Sequence, residues 1–188
     1  MPHAPFTVSV VGSWPRPKWL IDATKKKAAD LAALEDRATL LAIRAQEEAG
    51  LDVVTDGEQR RDNFVTFVCG KIDGLEKMTL AQLLDHVEDK ASFEAMLQAL
   101  DVPAFAIRNP VAVGRLSRRE PLAVADAKFL RANTTKPIKV TLPGPYILAR
   151  SSYVQGLSNL SYPTREMMSH DIVRILREEV KELAALGV

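Results

Sequence analysis

Short apolar runs ending in glycine or proline alternate along this chain with longer stretches of helical period. Phe6-Thr7-Val8-Ser9-Val10-Val11 reads as a first strand running into Gly12-Ser13-Trp14-Pro15. From Leu34 to Ala49 the apolar positions Leu34, Ala38, Leu41, Ala42 and Ala45 recur at helical spacing, with Gly50 placed as a C-terminal cap. A second strand over Leu51 to Thr55 leads into Asp56-Gly57-Glu58. Leu80 to Leu100 has Leu80, Leu83, Leu84 and Val87 on one helical face, so a helical insertion is expected around 76–102. Pro110 to Leu116 predicts a third strand. A helix covering Leu122 to Arg131 follows, and Lys136 to Leu142 predicts a fourth strand that Pro143-Gly144-Pro145 stops. Thr164 to Leu186 reads as an amphipathic helix with Met168, Ile172, Ile175, Leu176, Val180 and Leu183 inward.

Strand and helix in alternation predict an α/β fold with a parallel sheet built from right-handed crossovers. Four such units fit half of an eight-unit barrel, so the expected class is an incomplete (β/α)8 TIM-barrel type with about the first four β/α units. All of residues 1–188 form that one domain. Gly187-Val188 repeats the glycine-then-apolar junction of Gly50-Leu51. A complete barrel uses about 250 residues, and the expectation is that the chain stops just before a fifth strand.

Composition narrows the function classes. A 47% hydrophobic and 26% charged chain has material for a sizeable core. A formal net charge of +1 without a long single-sign block gives no electrostatic case for nucleic acid or a membrane surface. Lys25-Lys26-Lys27 is read as a solvated helix face. No stretch reaches the roughly 20 apolar residues of a membrane span and no secretory signal opens the chain, so a cytoplasmic setting is expected. Cys69 is the only cysteine and lies in an apolar run, which favours a buried thiol over a reactive one. With no Cys-x-x-Cys or His-x-Cys spacing, and with His3, His86 and His170 scattered, no metal ligands are expected in this chain.

The chemistry concentrates after the second strand. Asp56 and Glu58 sit where a parallel strand gives way to a loop, Gly57 permits a sharp turn between them, and Arg60-Arg61-Asp62-Asn63 follows. That is a polar pocket, or alternatively a solvated junction with ion pairs for its own shape.

Four segments together resemble the catalytic barrel of the cobalamin-independent methionine synthases. They are Val11 to Pro15, Asp52 to Glu58, Asn109 to Gly114, and Lys136 to Pro145. The resemblance runs from Phe6 onward but covers about the first half of that catalytic domain, and Asp-Gly-Glu before Arg-Arg-Asp is similar to its shorter, single-barrel members. It implies transfer of a methyl group to a thiol such as homocysteine, held as thiolate on zinc, with methyltetrahydrofolate or a methylcobamide as donor. Gly12 and Ser13 match the turn whose backbone holds the amino acid's carboxylate, and Glu58 matches the carboxylate that takes its amino group. Asp56 and Asn63 are further substrate-binding candidates. The family's zinc ligands and proton-transferring histidine fall beyond the matched half, so no catalytic or metal role passes to a residue here. Where the large enzymes place a tryptophan on the pterin, this chain has Tyr146 and Tyr153 nearby, and Phe105-Ala106 stands in place of a folate-contacting Arg-Cys pair.

The expected partners are therefore a small thiol amino acid and either a second polypeptide or a second copy that completes the barrel. Three other readings stay open: a non-catalytic half-barrel assembly unit, a stand-alone amino-acid-binding unit, and an alkyltransferase acting on another thiol.

Overall fold

A computed structural model describes residues 6–79, 82–83, 86 and 108–188. In chain order the elements are α1 (Lys18–Lys26), α2 (Leu31–Glu48), β1 (Ile72–Thr79), β2 (Arg108–Arg118), α3 (Val124–Ala132), α4 (Pro145–Ser152) and α5 (Arg165–Ala185). Most of the helical insertion expected around 76–102 lies outside the described residues; its first positions, Glu76 to Thr79, are strand.

The chain divides into two compact units, the first comprising Met1–Arg61, Ala123–Leu142 and Lys181–Val188. Here three extended segments run parallel, bridged Ser9 to Val53 and Val54 to Ile138. Val54 is central, its N–H donating to Pro137 O at 3.0 Å and its carbonyl accepting from Lys139 N at 3.0 Å. The first, second and fourth expected strands fall on these segments, which meet through single parallel bridges; the strands proper are β1 and β2. Ile43 of α2 and Leu130 of α3 pack with Val54 and Ile138, each fully buried aliphatic side chain contributing roughly 1.5–3 kcal/mol. The inward face of α2 differs from expectation: Leu41 is exposed, and Ile43, Thr39 and Gln46 join Ala38 and Ala42 inside. The reason is a polar one. The buried Gln46 amide pairs with the Thr55 peptide like a neighbouring strand, Oε1 accepting from Thr55 N and Nε2 donating to Thr55 O, both at 2.9 Å.

The second unit comprises Asp62–Leu122 and Pro143–Val180. The third expected strand is here, and its pairing corrects the parallel reading: Pro110 to Leu116 lies in β2, which pairs antiparallel with β1 from Ile72–Arg118 to Thr79–Arg108. Asp73 to Thr79 carries too many polar positions to stand out as a strand, so its claim on β2 was not visible in the pattern. α5 buries Met168, Ile172, Ile175 and Leu176 as expected, while Val180 is exposed and Glu179 is fully buried in its stead.

Tyr162, also fully buried, accepts from Leu116 N at 2.7 Å and donates to Asp171 Oδ2 at 2.6 Å. That hydroxyl, with Arg174 and Arg115 nearby, holds the Asp171 carboxyl below its usual range. A group whose pKa falls on folding stabilises the fold above its unfolded pKa, about 3.9, and the contribution is lost as pH falls through the lower folded value. Tyr162→Phe is therefore expected to raise the Asp171 pKa, read by carboxyl carbon NMR. The Asp171-linked part of its stability deficit should be full at neutral pH and shrink below about pH 4.

Among the described residues, no helix is long and apolar enough to cross a membrane.

Candidate functional site

The turn after the second parallel segment is built by its own side chains. Gln46 anchors Thr55, Thr55 Oγ1 accepts from Gly57 N at 3.1 Å, and Asp56 Oδ1 accepts from Glu58 N at 3.0 Å. Gly57 and Glu58 are both left-handed, at φ +64° and +54°. For Glu58, a residue with a Cβ, that backbone is uncommon, and such positions persist only where surroundings over-determine them.

Those surroundings are specific. Arg16 donates to the carbonyls of Glu58, at 2.8 Å, and of Arg61. Trp14 N donates to Gly57 O at 3.0 Å, and Gln59 Nε2 returns a bond to Trp14 O at 2.9 Å. The Gly12-Ser13-Trp14 turn and the Asp56-Gly57-Glu58 turn are therefore stitched side by side, and both Gly12 and Ser13 are exposed. Arg60 meets Asp36 and Asp126 and lies over the Phe129 ring at 4.2 Å, tying the turn to α2 and α3.

Glu58 is 7% exposed and its Oε1 accepts from Thr141 Oγ1 at 2.9 Å; among the described residues no other side chain donates to that carboxylate. Arg61 Nη1 donates to both Thr141 O and Thr141 Oγ1 at 2.9 Å. Gln59 Oε1 is buried without a partner among the described residues, an acceptor that a ligand N–H or a water would satisfy.

Of the expected site residues, the structure thus brings Gly12, Ser13, Asp56 and Glu58 together. Asp56 spends its Oδ1 on the Glu58 peptide, which makes it a shaper of the turn. Asn63 belongs to the second unit, where its Oδ1 accepts from Val65 N at 2.8 Å and Thr66 N at 2.7 Å ahead of a short helical turn. Arg16 and Thr141 escaped the sequence reading. Arg16 follows a proline with nothing local to mark it, and Thr141 reads in the sequence only as one position of the fourth expected strand.

Cys69 is half-buried, where a buried thiol was expected, and the burial it has pushes the thiol up to about 11. Among the described residues, no group of three or more His, Cys, Asp or Glu side chains is placed to hold a metal ion. The second unit carries a cavity of about 480 Å³ lined by Pro145, Tyr146 and Ala149 of α4 and by residues from Thr164 to Val173. Tyr146 is exposed on it, whereas the Tyr153 hydroxyl donates to the Tyr162 and Pro163 carbonyls.

The chain is 29% identical over 188 residues to a methionine synthase of Sulfolobus acidocaldarius, spanning 96% of this chain and 48% of that relative. A methionine synthase of Thermococcus kodakarensis is 28% identical, over 95% of this chain and 48% of its own length. Among solved structures, the B12-independent methionine synthase from Shewanella sp. W3-18-1, in complex with selenomethionine, superimposes with a TM-score of 0.72. It is 31% identical, and the match covers 97% of this chain and 49% of that one. The chain spans about half the length of the curated relatives it matches. Residues 6–188 match the sequence description of the cobalamin-independent synthase catalytic domain, and the chain belongs to that family.

Proposed function

We propose that this chain is the substrate-binding half of a methyltransferase that moves a methyl group to a thiol amino acid such as homocysteine, forming methionine. The observation that carries the reading is the buried Glu58 carboxylate, held by Thr141 on a turn stitched to the exposed Gly12-Ser13 turn. Family membership and the selenomethionine held by the Shewanella relative support the same ligand class. An ionised glutamate makes a charge-assisted bond to an ammonium, and free backbone N–H groups at a strand-end turn suit a carboxylate. Asp56 contributes by holding the Glu58 peptide.

In this reading the chain forms the first half of a (β/α)8 barrel whose other half comes from a second polypeptide, a second copy or further residues of the same protein. Relatives twice as long support it, as do the parallel segments at Ser9 and Ile138, each bridged on one side among the described residues. Zinc is the family's means of activating the thiol. The described residues offer no ligand set for it, so the zinc ligands are assigned to the completing half. The donor in this reading is methyltetrahydrofolate or a methylcobamide. Exposure of Phe6 and Val11 beside the Ser9 bridge supports a second reading, a non-catalytic assembly unit.

Calorimetric titration of L-methionine tests the first reading. Glu58→Gln removes the charge but keeps the shape, and is expected to weaken binding about 10- to 100-fold, the worth of a hydrogen bond to a charged group. Equal affinity in the variant would remove Glu58 from the site.

A further inference from the structure

We propose that Thr141, polarised by Arg61, is a positioning residue that sets the orientation of the Glu58 carboxylate and thereby the site's preference for a ligand carrying a free α-amino group. The inference rests on the reading of Glu58 as the ammonium acceptor. Its basis is the proton inventory of three atoms. A guanidinium keeps all its protons at any accessible pH, so Arg61 Nη1 always donates to Thr141 Oγ1 across 2.9 Å. A hydroxyl owns one proton. With Arg61 occupying an acceptor side of Oγ1, that proton turns to Glu58 Oε1, also at 2.9 Å. The second bond from Arg61 Nη1, to Thr141 O at 2.9 Å, holds the guanidinium in place against the threonine's own peptide.

The chain Arg61 to Thr141 to Glu58 therefore has one polarity and can only donate into the carboxylate. All three residues belong to the first compact unit, and Arg61 and Glu58 are 4% and 7% exposed. One carboxylate oxygen is thereby committed and the carboxylate plane restrained, which leaves Oε2 to receive a ligand cation. A glutamate side chain without such restraint samples several rotamers, and fixing one in advance spares that entropy when a ligand binds. Valine copies the shape of threonine without the hydroxyl, and serine copies the hydroxyl without the methyl.

The test is calorimetric titration of L-methionine and of its desamino analogue, 4-(methylthio)butanoate, into wild type, Thr141→Val, Thr141→Ser and Glu58→Gln. Thr141→Val is expected to lose about ten-fold in methionine affinity, the lower range for a bond to a charged group. The desamino ligand should bind it within about two-fold of wild type, and Thr141→Ser should restore methionine binding. Loss of both ligands to the same extent in Thr141→Val and Thr141→Ser would show a merely structural threonine and overturn the proposal. So would unchanged methionine affinity in Thr141→Val when Glu58→Gln has lost it. Unchanged binding by Glu58→Gln, or none by wild type, would instead overturn the reading of the site on which the proposal rests.

Discussion

Glu179→Ala lowers the unfolding free energy by about 3–5 kcal/mol, the cost of breaking a buried ion pair by removing one partner. Glu179 has no exposure at all, and its Oε2 accepts from Arg118 Nη2 at 2.5 Å and from Leu122 N at 2.8 Å. Alanine takes a fully buried carboxylate away from the Arg118 guanidinium, itself 11% exposed at the side chain, and strips the Leu122 backbone N–H of its acceptor. Glu179→Gln keeps one acceptor and should lose less. Replacing both partners, as Arg118→Met with Glu179→Leu, should recover most of the loss, since burying two charges costs nearly what their attraction returns. Urea unfolding measures each variant, with the midpoint shifting at constant slope. A Glu179→Ala protein within about 1 kcal/mol of wild type would show that the pair is far better solvated than its burial implies.

Gly57→Ala is expected to cost about 2–5 kcal/mol of folding stability. Two effects add. At φ +64° an L side chain pays about 1–2 kcal/mol for the left-handed backbone, and overpacking a tight contact adds about 1–3 kcal/mol. The contact is tight: a Cβ on Gly57 would meet the Cβ atoms of Ala42 and Trp14 at 2.9 Å. Neither neighbour can yield by rotating a side chain, because a Cβ is fixed to its backbone. The turn must shift, and Glu58 shifts with it. Gly12→Ala is the control, since Gly12 is also left-handed, at φ +81°, but nothing lies within 4 Å of its added Cβ. It should show the backbone cost alone, about 1–2 kcal/mol. Equal destabilisation by the two substitutions, measured by denaturant unfolding, would mean that packing around Gly57 is loose.

The two glycines mark the boundary between what was legible and what was not. That Asp56-Gly57-Glu58 forms a turn after a strand follows from local chemistry, because an apolar run, a glycine and flanking acids act over a few residues. That a side chain at this glycine would collide with Ala42 and Trp14 is set by the fold, where alone they are neighbours. The same contrast holds for the elements. α3 and α5 were readable because their apolar spacing persists over several turns, whereas α4 follows Pro143-Gly144-Pro145 and is too short to declare a period. β1 was hidden by its polar positions, and without it β2 was assigned to the parallel series.

By itself, then, the sequence determined the α/β character of the chain, the long helices α2 and α5, and the Gly12-Ser13 and Asp56-Glu58 turns. Each of these is written in residues close together in the chain. Only the tertiary structure decided which way β2 pairs, that Gln46 and Glu179 lie inside, and that Thr141 and Arg16 serve the Glu58 turn. Pairing partners and buried polar contacts join residues 9 to 83 positions apart, from Gln46 and Thr55 to Glu58 and Thr141. Hydrogen bonds act only at contact, and no local pattern encodes which distant atoms the folded chain will bring there.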